Sequence, residues 1–239
     1  MNCIRLPLDG AVNARDLGGY VTNDNMITKF KTFIRSSRLT DLTEKDNAFL
    51  KKYGITDIID LRGVTKIQAT FVSDDNIDKE YFKFYYLPLS NIEMETYSKI
   101  HENDDNFDFG EAYKYVLNNK GKIKQIFEIL ANSKGAVLFH CTAGKDRTGI
   151  IAALILGLCG IPDLDIIANY QVTNTYISGS TFLNTYANNV QKSEPKYMQT
   201  FISRLKEEYG SYENYLLSCD ISKEDLKKIK TKFLEPFII

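Results

Sequence analysis

The chain has 239 residues, with 30 Lys and Arg against 31 Asp and Glu and a formal net charge of -1. That length is enough to bury one full core of the larger α/β kind, and the even charge balance gives no reason to expect a nucleic-acid partner. The longest apolar run, residues 150–161, contains Gly157 and Gly160 and falls well short of the ~20 residues that cross a bilayer, so it is expected as a buried helix and no stable membrane insertion is expected.

The amino-terminal stretch MNCIRLPLDG carries Arg5 and Asp9 and lacks the apolar block of a secretory signal. The sequence as it stands is therefore expected in the cytoplasm, or secreted if a leader has been removed. No repeat, low-complexity block or Pro- or Ser-rich linker divides the chain, so a single domain over residues 1–239 is expected. Cys3, Cys141, Cys159 and Cys219 stand far apart without a Cys-x-x-Cys pair, which suggests neither a zinc site nor a disulfide framework.

In chain order, the first run with strand composition is KTFIRSS around Thr32. LTEKDNAFLKKYG follows, where Thr43 can cap a helix, Asp46 sits at the third helical position and Gly54 can end it. TDIIDLR from Thr56 is nearly continuously apolar, as a central strand covered on both faces should be. YFKFYYLPL from Tyr81 is a third strand. Residues 90–110 are polar, acidic and aromatic with weak helical periodicity, and read either as a solvated surface connection or as a lid over a pocket. GAVLFH from Gly135 is the fourth strand, again apolar throughout. Beyond it the pattern is helical over 147–158 and 162–176, then around Phe182, Met198, Tyr212 and Leu226, with Ser222 and Asp225 offering a second capping box. A sheet with a helical carboxyl half is the architecture implied.

The chemistry concentrates in FHCTAGKDRTG, residues 139–149. With a strand ending at His140 and a helix beginning near Arg147, the backbone N–H groups of Thr142, Ala143, Gly144 and Lys145 would gather at a helix amino terminus, where a dianion is favoured. Gly144 permits the close backbone approach. Cys141 would lie at the floor of this cradle, where amide donors and the helix dipole favour its thiolate form, the nucleophile. Arg147 could fork across two oxygens of a phosphoryl group. Thr148 could donate its hydroxyl to the sulfur and make it a better leaving group. His140 reads as a core histidine that orders the loop, and Cys3, Cys159 and Cys219 read as structural.

HCTAGKDRTG resembles the Cys-x5-Arg loop of cysteine-dependent tyrosine phosphatases, and NARDLGGY, FIRSSRL and IIDLR resemble further marks of the bacterial tyrosine and phosphoinositide phosphatases, the group that includes mycobacterial phosphatase B and the Listeria lipid phosphatase. The similarity runs in order from about Leu8 to Pro162, with a helical tail to Phe233. It implies an α/β, protein tyrosine phosphatase-like fold with a central, mostly parallel sheet flanked by helices. It also implies a phosphocysteine intermediate, no metal and no cofactor.

A leaving phenolate or alkoxide needs a proton, and the attacking water later needs a base. Asp146 sits in the loop, at a position that some lipid-directed relatives use for proton transfer. Asp60 would lie on the same sheet edge as Cys141, and its alternative is an ion pair with Arg62 or Arg15. The acidic residues of 90–110 form a third set. Lys145 would add a second cation for a substrate with more than one phosphate, as in lipid phosphatases of the tumour-suppressor type, or would face solvent. Arg15 and Asp16 are expected near the loop in a structural turn with Gly18 and Gly19, and Arg35 and Arg38 flank the first strand. The leading expectation is a metal-independent phosphomonoesterase acting on phosphotyrosine, with dual specificity allowed. A phosphoinositide phosphatase is the close alternative, and a phosphate-binding module without turnover is an alternative from another class. A sulfurtransferase fits the spacing poorly, and the low-molecular-weight phosphatase and arsenate reductase type places its cysteine near the amino terminus. The partner expected is a phosphorylated protein or phosphoinositide substrate; the residues leave the oligomeric state open.

Overall fold

The computed structural model describes residues 2, 4–63, 76–89, 100–101, 104, 107–178 and 192–238. In chain order its strands are β1 (Arg15–Asp16), β2 (Met26–Thr28), β3 (Phe33–Ser36), β4 (Ile55–Asp60), β5 (Lys83–Tyr86), β6 (Ala136–His140) and β7 (Leu234–Pro236). The four runs of strand composition supply β3, β4, β5 and β6. With β1 they make one sheet of order β1-β3-β6-β4-β5, parallel throughout except where β1 joins β3.

The apolar strands are explained by what covers each face. In β6, Val137 and Phe139 point into one core while Ala136 and Leu138 point into the other. In β4, Ile59 and Ile58 divide the same way, as do Phe33 and Ile34 in β3. Both faces are dry, so the period-2 polar alternation of a half-exposed strand is absent. On one face lies α1 (Glu44–Tyr53), with Leu50 and Tyr53 buried against Ile34, Ile58 and Leu138. A capping box fixes its start: Thr43 Oγ1 accepts from Asp46 N at 3.1 Å, and the Asp46 carboxylate accepts from Thr43 N at 2.9 Å. Gly54 ends it in the left-handed region, at φ 99°. Thr43→Ala is expected to cost about 1 kcal/mol of stability, measurable as a shift in the urea midpoint with an unchanged slope; no shift would mean that the cap is not what sets this terminus.

The other face carries the remaining helices. Two stand where no element is expected from the sequence: α2 (Lys114–Leu117) and α3 (Lys120–Asn132), which buries Ile123, Ile126, Phe127 and Leu130. After β6 comes α4 (Asp146–Leu158), buried nearly all round, and starting one residue before the expected position. The expected helix over 162–176 is two helices, α5 (Asp163–Gln171) and α6 (Thr173–Ile177), broken at Val172. The cause is a tertiary contact: the Arg15 guanidinium donates to Asn169 O at 2.6 Å, taking the carbonyl that Thr173 N–H would use in a continuous helix. The carboxyl part continues with α7 (Pro195–Tyr209), α8 (Tyr212–Ser218) and α9 (Lys223–Phe233). Half of the box expected at α9 forms. Ser222 Oγ accepts from Asp225 N at 3.0 Å, but the Asp225 carboxylate accepts from the Ser222 hydroxyl at 2.8 Å rather than from the cap N–H. The chain then adds β7, which pairs antiparallel with β2 in a small second sheet that the expected helical tail does not include. Phe233 anchors this end by packing edge-on against Phe33, with ring centroids 4.8 Å apart.

The helix expected around Phe182 lies outside the described residues, and so does most of 90–110, including all that a lid reading would need. The described residues of that segment are 100–101, 104 and 107–110, and Asp108 caps a short 3-10 helix over Phe109–Tyr113. Among the described residues no helix is long and apolar enough to cross a membrane.

Parallel strands end together. Ser36, Asp60 and Tyr86 close β3, β4 and β5 on the same edge as His140, with Ser36 and Asp60 in register with it. Ligands of open α/β sheets bind outside this edge, and there the chain enters the Cys141 loop.

Candidate active site

The loop between β6 and α4 is shaped from outside, by groups that take its carbonyl oxygens. Arg38 N donates to Thr142 O at 3.0 Å. Asn13 Nδ2 donates to Ala143 O and Gly144 O at 2.9 Å each. Arg35 Nη2 donates to Gly144 O at 2.7 Å and to Lys145 O at 3.4 Å. All peptides here are trans, so the N–H following each carbonyl points the opposite way. Four carbonyls drawn outward turn the N–H groups of Ala143, Gly144, Lys145 and Asp146 to the other side, at the amino terminus of a helix 13 residues long. N–H groups gathered in this way at a helix amino terminus are the kind that can hold an anion. Gly144 is needed for this arrangement: its φ is +66°, and a Cβ there would stand 2.5 Å from Ser36 O.

Cys141 is the first residue after β6 and is buried, 3% exposed. Arg147 is the second residue of α4, half-buried, with Nη1 3.5 Å from Leu61 O. Asp146, at the first position of α4, is held through one oxygen: the Tyr113 hydroxyl donates to Oδ1, and Lys145 Nζ lies 3.5 Å from the same atom. Its Oδ2 makes no hydrogen bond or ion pair among the described residues. Behind it, the Tyr113 and Tyr170 hydroxyls are 2.6 Å apart. Burial, and then the Asp146 charge, push both phenols well above their ordinary pKa, so they stay neutral donors.

Other expected site residues are placed differently. Lys145 does not face solvent; it is 2% exposed, and its ammonium donates to Lys192 O at 2.7 Å over the Phe109 ring. Thr148 is fully buried, and its hydroxyl makes no hydrogen bond among the described residues, so the expected bond to the Cys141 sulfur is not formed here. His140 is buried, with Nδ1 3.4 Å from Cys141 O and 4.0 Å from Asp60 Oδ1. Asp60 takes its alternative role, an ion pair with Arg62 rather than Arg15. It accepts from Arg62 Nε at 3.0 Å and from Nη2 at 2.7 Å, with both side chains buried. Burial alone would raise the Asp60 pKa, but His140 and the Arg62 guanidinium outweigh it and hold the group below the usual carboxylate range. It is a fixed carboxylate, poorly suited to deliver a proton. Asp16 closes the expected turn by accepting from Gly18 N, Lys31 N and the Tyr53 hydroxyl.

The sequence reading misses most of what braces the loop. Asn13 sits at φ 57° and reaches two loop carbonyls, and Asn169 accepts from Arg35 Nη1 at 2.6 Å. Arg35 had a signal, since a cation in the middle of an apolar strand needs a reason. Asn169, Tyr113 and Tyr170 had none, because only the folding of α5 and of the 3-10 helix against α4 brings them here. An open cavity of about 450 Å3, lined by Asp57, Lys83, Tyr85, Glu128 and Lys134 among others, includes no residue of the loop.

The chain is similar in sequence to known proteins. A relative described as a tyrosine-protein phosphatase from Nostoc commune is 31% identical over 218 residues, covering 84% of this chain and 73% of its own length. The triple specificity protein phosphatase PtpB of Mycobacterium tuberculosis is 26% identical over 204 residues, covering 70% of this chain and 68% of its own. Among solved structures, P. aeruginosa TpbA aligns over 85% of this chain and 96% of its own, with a TM-score of 0.44 and 14% identity. The sequence pattern of the tyrosine phosphatase family matches residues 6–235. With that match spanning nearly every element described above, the chain belongs to the tyrosine phosphatase family.

Proposed function

We propose that the protein hydrolyses phosphotyrosine through a phosphocysteine intermediate. The observation that carries this is the loop whose carbonyls are pulled outward between Cys141 and Arg147, leaving a nest of amides for a phosphoryl group. The Cys141 thiolate attacks phosphorus, and the bond from phosphorus to the phenolic oxygen breaks. Asp146 gives its proton to that oxygen. A water then attacks phosphorus, Asp146 takes the water's proton, and the bond to sulfur breaks, releasing phosphate and the thiolate. The nest amides and Arg147 hold the charge that spreads over the three equatorial oxygens. Thr148 has an uncommitted hydroxyl to offer the departing sulfur. Tyr113 and Lys145 fix Oδ1 of Asp146, which makes Oδ2 the oxygen that carries the proton.

The name of the PtpB relative keeps specificity broader than phosphotyrosine compatible with this reading. Phosphoinositides are the second reading: Lys145 beside the loop would add a cation for a second phosphate, and one of the three donors of its ammonium is already given to Lys192 O. Intact Cys141, Arg147 and Thr148 favour turnover over mere binding.

Phosphate release with EDTA present tests the reading. The wild type is expected to turn over a phosphotyrosyl peptide. Asp146→Asn should lose about 10²-fold in kcat on that peptide and far less on para-nitrophenyl phosphate, whose leaving group needs little protonation. Tyr113→Phe should show the same leaving-group dependence in weaker form. Faster turnover of phosphoinositide micelles than of the peptide would move the assignment to lipids, and equal losses on both phenyl substrates would remove Asp146 as the acid.

A further inference from the structure

Behind the loop, on the side away from solvent, β1 and β3 set Arg15 directly opposite Arg35 in antiparallel register. Like charges at such a position destabilise a sheet. Both side chains are 1% exposed, and among the described residues neither has an ion pair with a carboxylate. Their partners are neutral. Arg35 donates to Gly144 O, Lys145 O and Asn169 Oδ1. Arg15 donates to Asn13 Oδ1, Asn169 O and, at 3.1 Å, Thr173 Oγ1, and its guanidinium faces the Tyr176 ring at 5.6 Å. The Nε atoms of both are buried with no hydrogen bond. Two charges taken out of water without counter-ions are costly, and a neutral side chain would brace a carbonyl at less cost.

We propose that Arg15 and Arg35 are the charged floor of the oxyanion site, a buried double cation whose counter-ion is the anion held in the loop above it. The inference rests on the phosphoryl reading of that loop and adds a role for residues that never touch the substrate. Each is a positioning residue, acting through its charge across the peptides of residues 143–145 as well as through the bonds by which Asn13 and Arg35 hold them. The field at Arg35 is consistent with this: burial pulls its pKa down to about 10, and the acidic groups that pull it back up include Cys141 and Asp146, both in the loop. Arg15 is pushed well below its usual value by burial and by Arg35, the repulsion that an anion in the loop would relieve. A guanidinium remains protonated under these conditions, so the charge is present at neutral pH whether or not an anion is bound. Arg147 then closes the site from the loop's other end, and the floor favours two negative charges over one.

Sulfate and perchlorate separate charge from shape, because both are tetrahedral oxyanions and only sulfate is a dianion. Their affinities, read by calorimetry and by the rise in Tm, are compared in the wild type, Arg35→Gln, Arg35→Lys and Arg15→Gln. The wild type should bind sulfate more tightly than perchlorate. Each Gln variant should lose roughly tenfold or more in sulfate affinity with a much smaller loss for perchlorate, and Arg35→Lys should keep most of the preference for sulfate. Equal losses for both anions, a Lys variant no better than Gln, or unchanged sulfate binding would mean that these arginines only brace the loop. If Arg35→Gln fails to fold, Arg15→Gln and the wild-type anion preference decide the matter. Phosphotyrosine turnover by a wild type whose variants show no loss specific to the dianion would overturn the charged floor and leave the proposed function standing. A wild type that neither binds oxyanions nor turns over would remove both.

Discussion

Cys141→Ser is expected to lower kcat on a phosphotyrosyl peptide by on the order of 10⁴-fold or more, with Tm and sulfate affinity close to those of the wild type. The substitution exchanges one small buried side chain for another at a position 3% exposed, so the loop should keep its shape. The chemistry does not survive, because a hydroxyl ionises far less readily than a thiol and is a poor nucleophile without a base. Asp60 is tied to Arg62, and in the proposed attacking step Asp146 carries the proton meant for the leaving oxygen, so it is not free to act as that base. Binding should persist because the nest amides come from residues 143–146. A variant that keeps a tenth of wild-type turnover would show that Cys141 is not the attacking group.

Arg147→Lys is expected to lower kcat/KM by about 10³-fold even though the charge is kept. A guanidinium can bind two equatorial oxygens at once through its planar fork, whereas an ammonium is a point charge on a flexible stem. Arg147 also starts from a fixed place, the second residue of α4, with Nη1 near Leu61 O at the end of β4. Lysine at that position neither spans the two oxygens nor keeps the contact to Leu61. The loss should fall more on kcat than on KM, since the oxygens spread their charge most in the transition state. A loss under tenfold would mean that charge alone suffices and that the fork is not used.

Much of the frame was legible because the signals were local. Runs rich in apolar residues marked β4 and β6 as central strands, Thr43 with Asp46 and Gly54 marked both ends of α1, and the spacing of Cys141, Gly144 and Arg147 between a strand and a helix marked the loop. What was not legible depends on residues distant in sequence. Arg15 breaks the helix at Val172 from more than 150 positions away, and no property of residues 162–176 by themselves shows this. Asn13 reaches carbonyls 130 and 131 residues later, from a left-handed conformation that its own neighbours do not reveal. Lys145 was read for its charge, but where its ammonium goes is decided by Lys192 O, 47 residues on. Strand β7 has only three residues and is defined by its pairing with β2 across the whole chain. Sequence spacing showed which residues could do chemistry, while the direction each side chain takes was set by tertiary partners.

The central claim is a covalent bond between phosphorus and the Cys141 sulfur. The most direct test is rapid mixing of wild-type protein with phosphotyrosyl peptide, a quench in denaturant within the first turnover, and peptide mapping by mass spectrometry. Phosphate on the peptide that contains Cys141, rising and decaying with turnover and absent from Cys141→Ser, is the predicted result. Full turnover with no phosphate ever found on Cys141, or with the label on another residue, would contradict it.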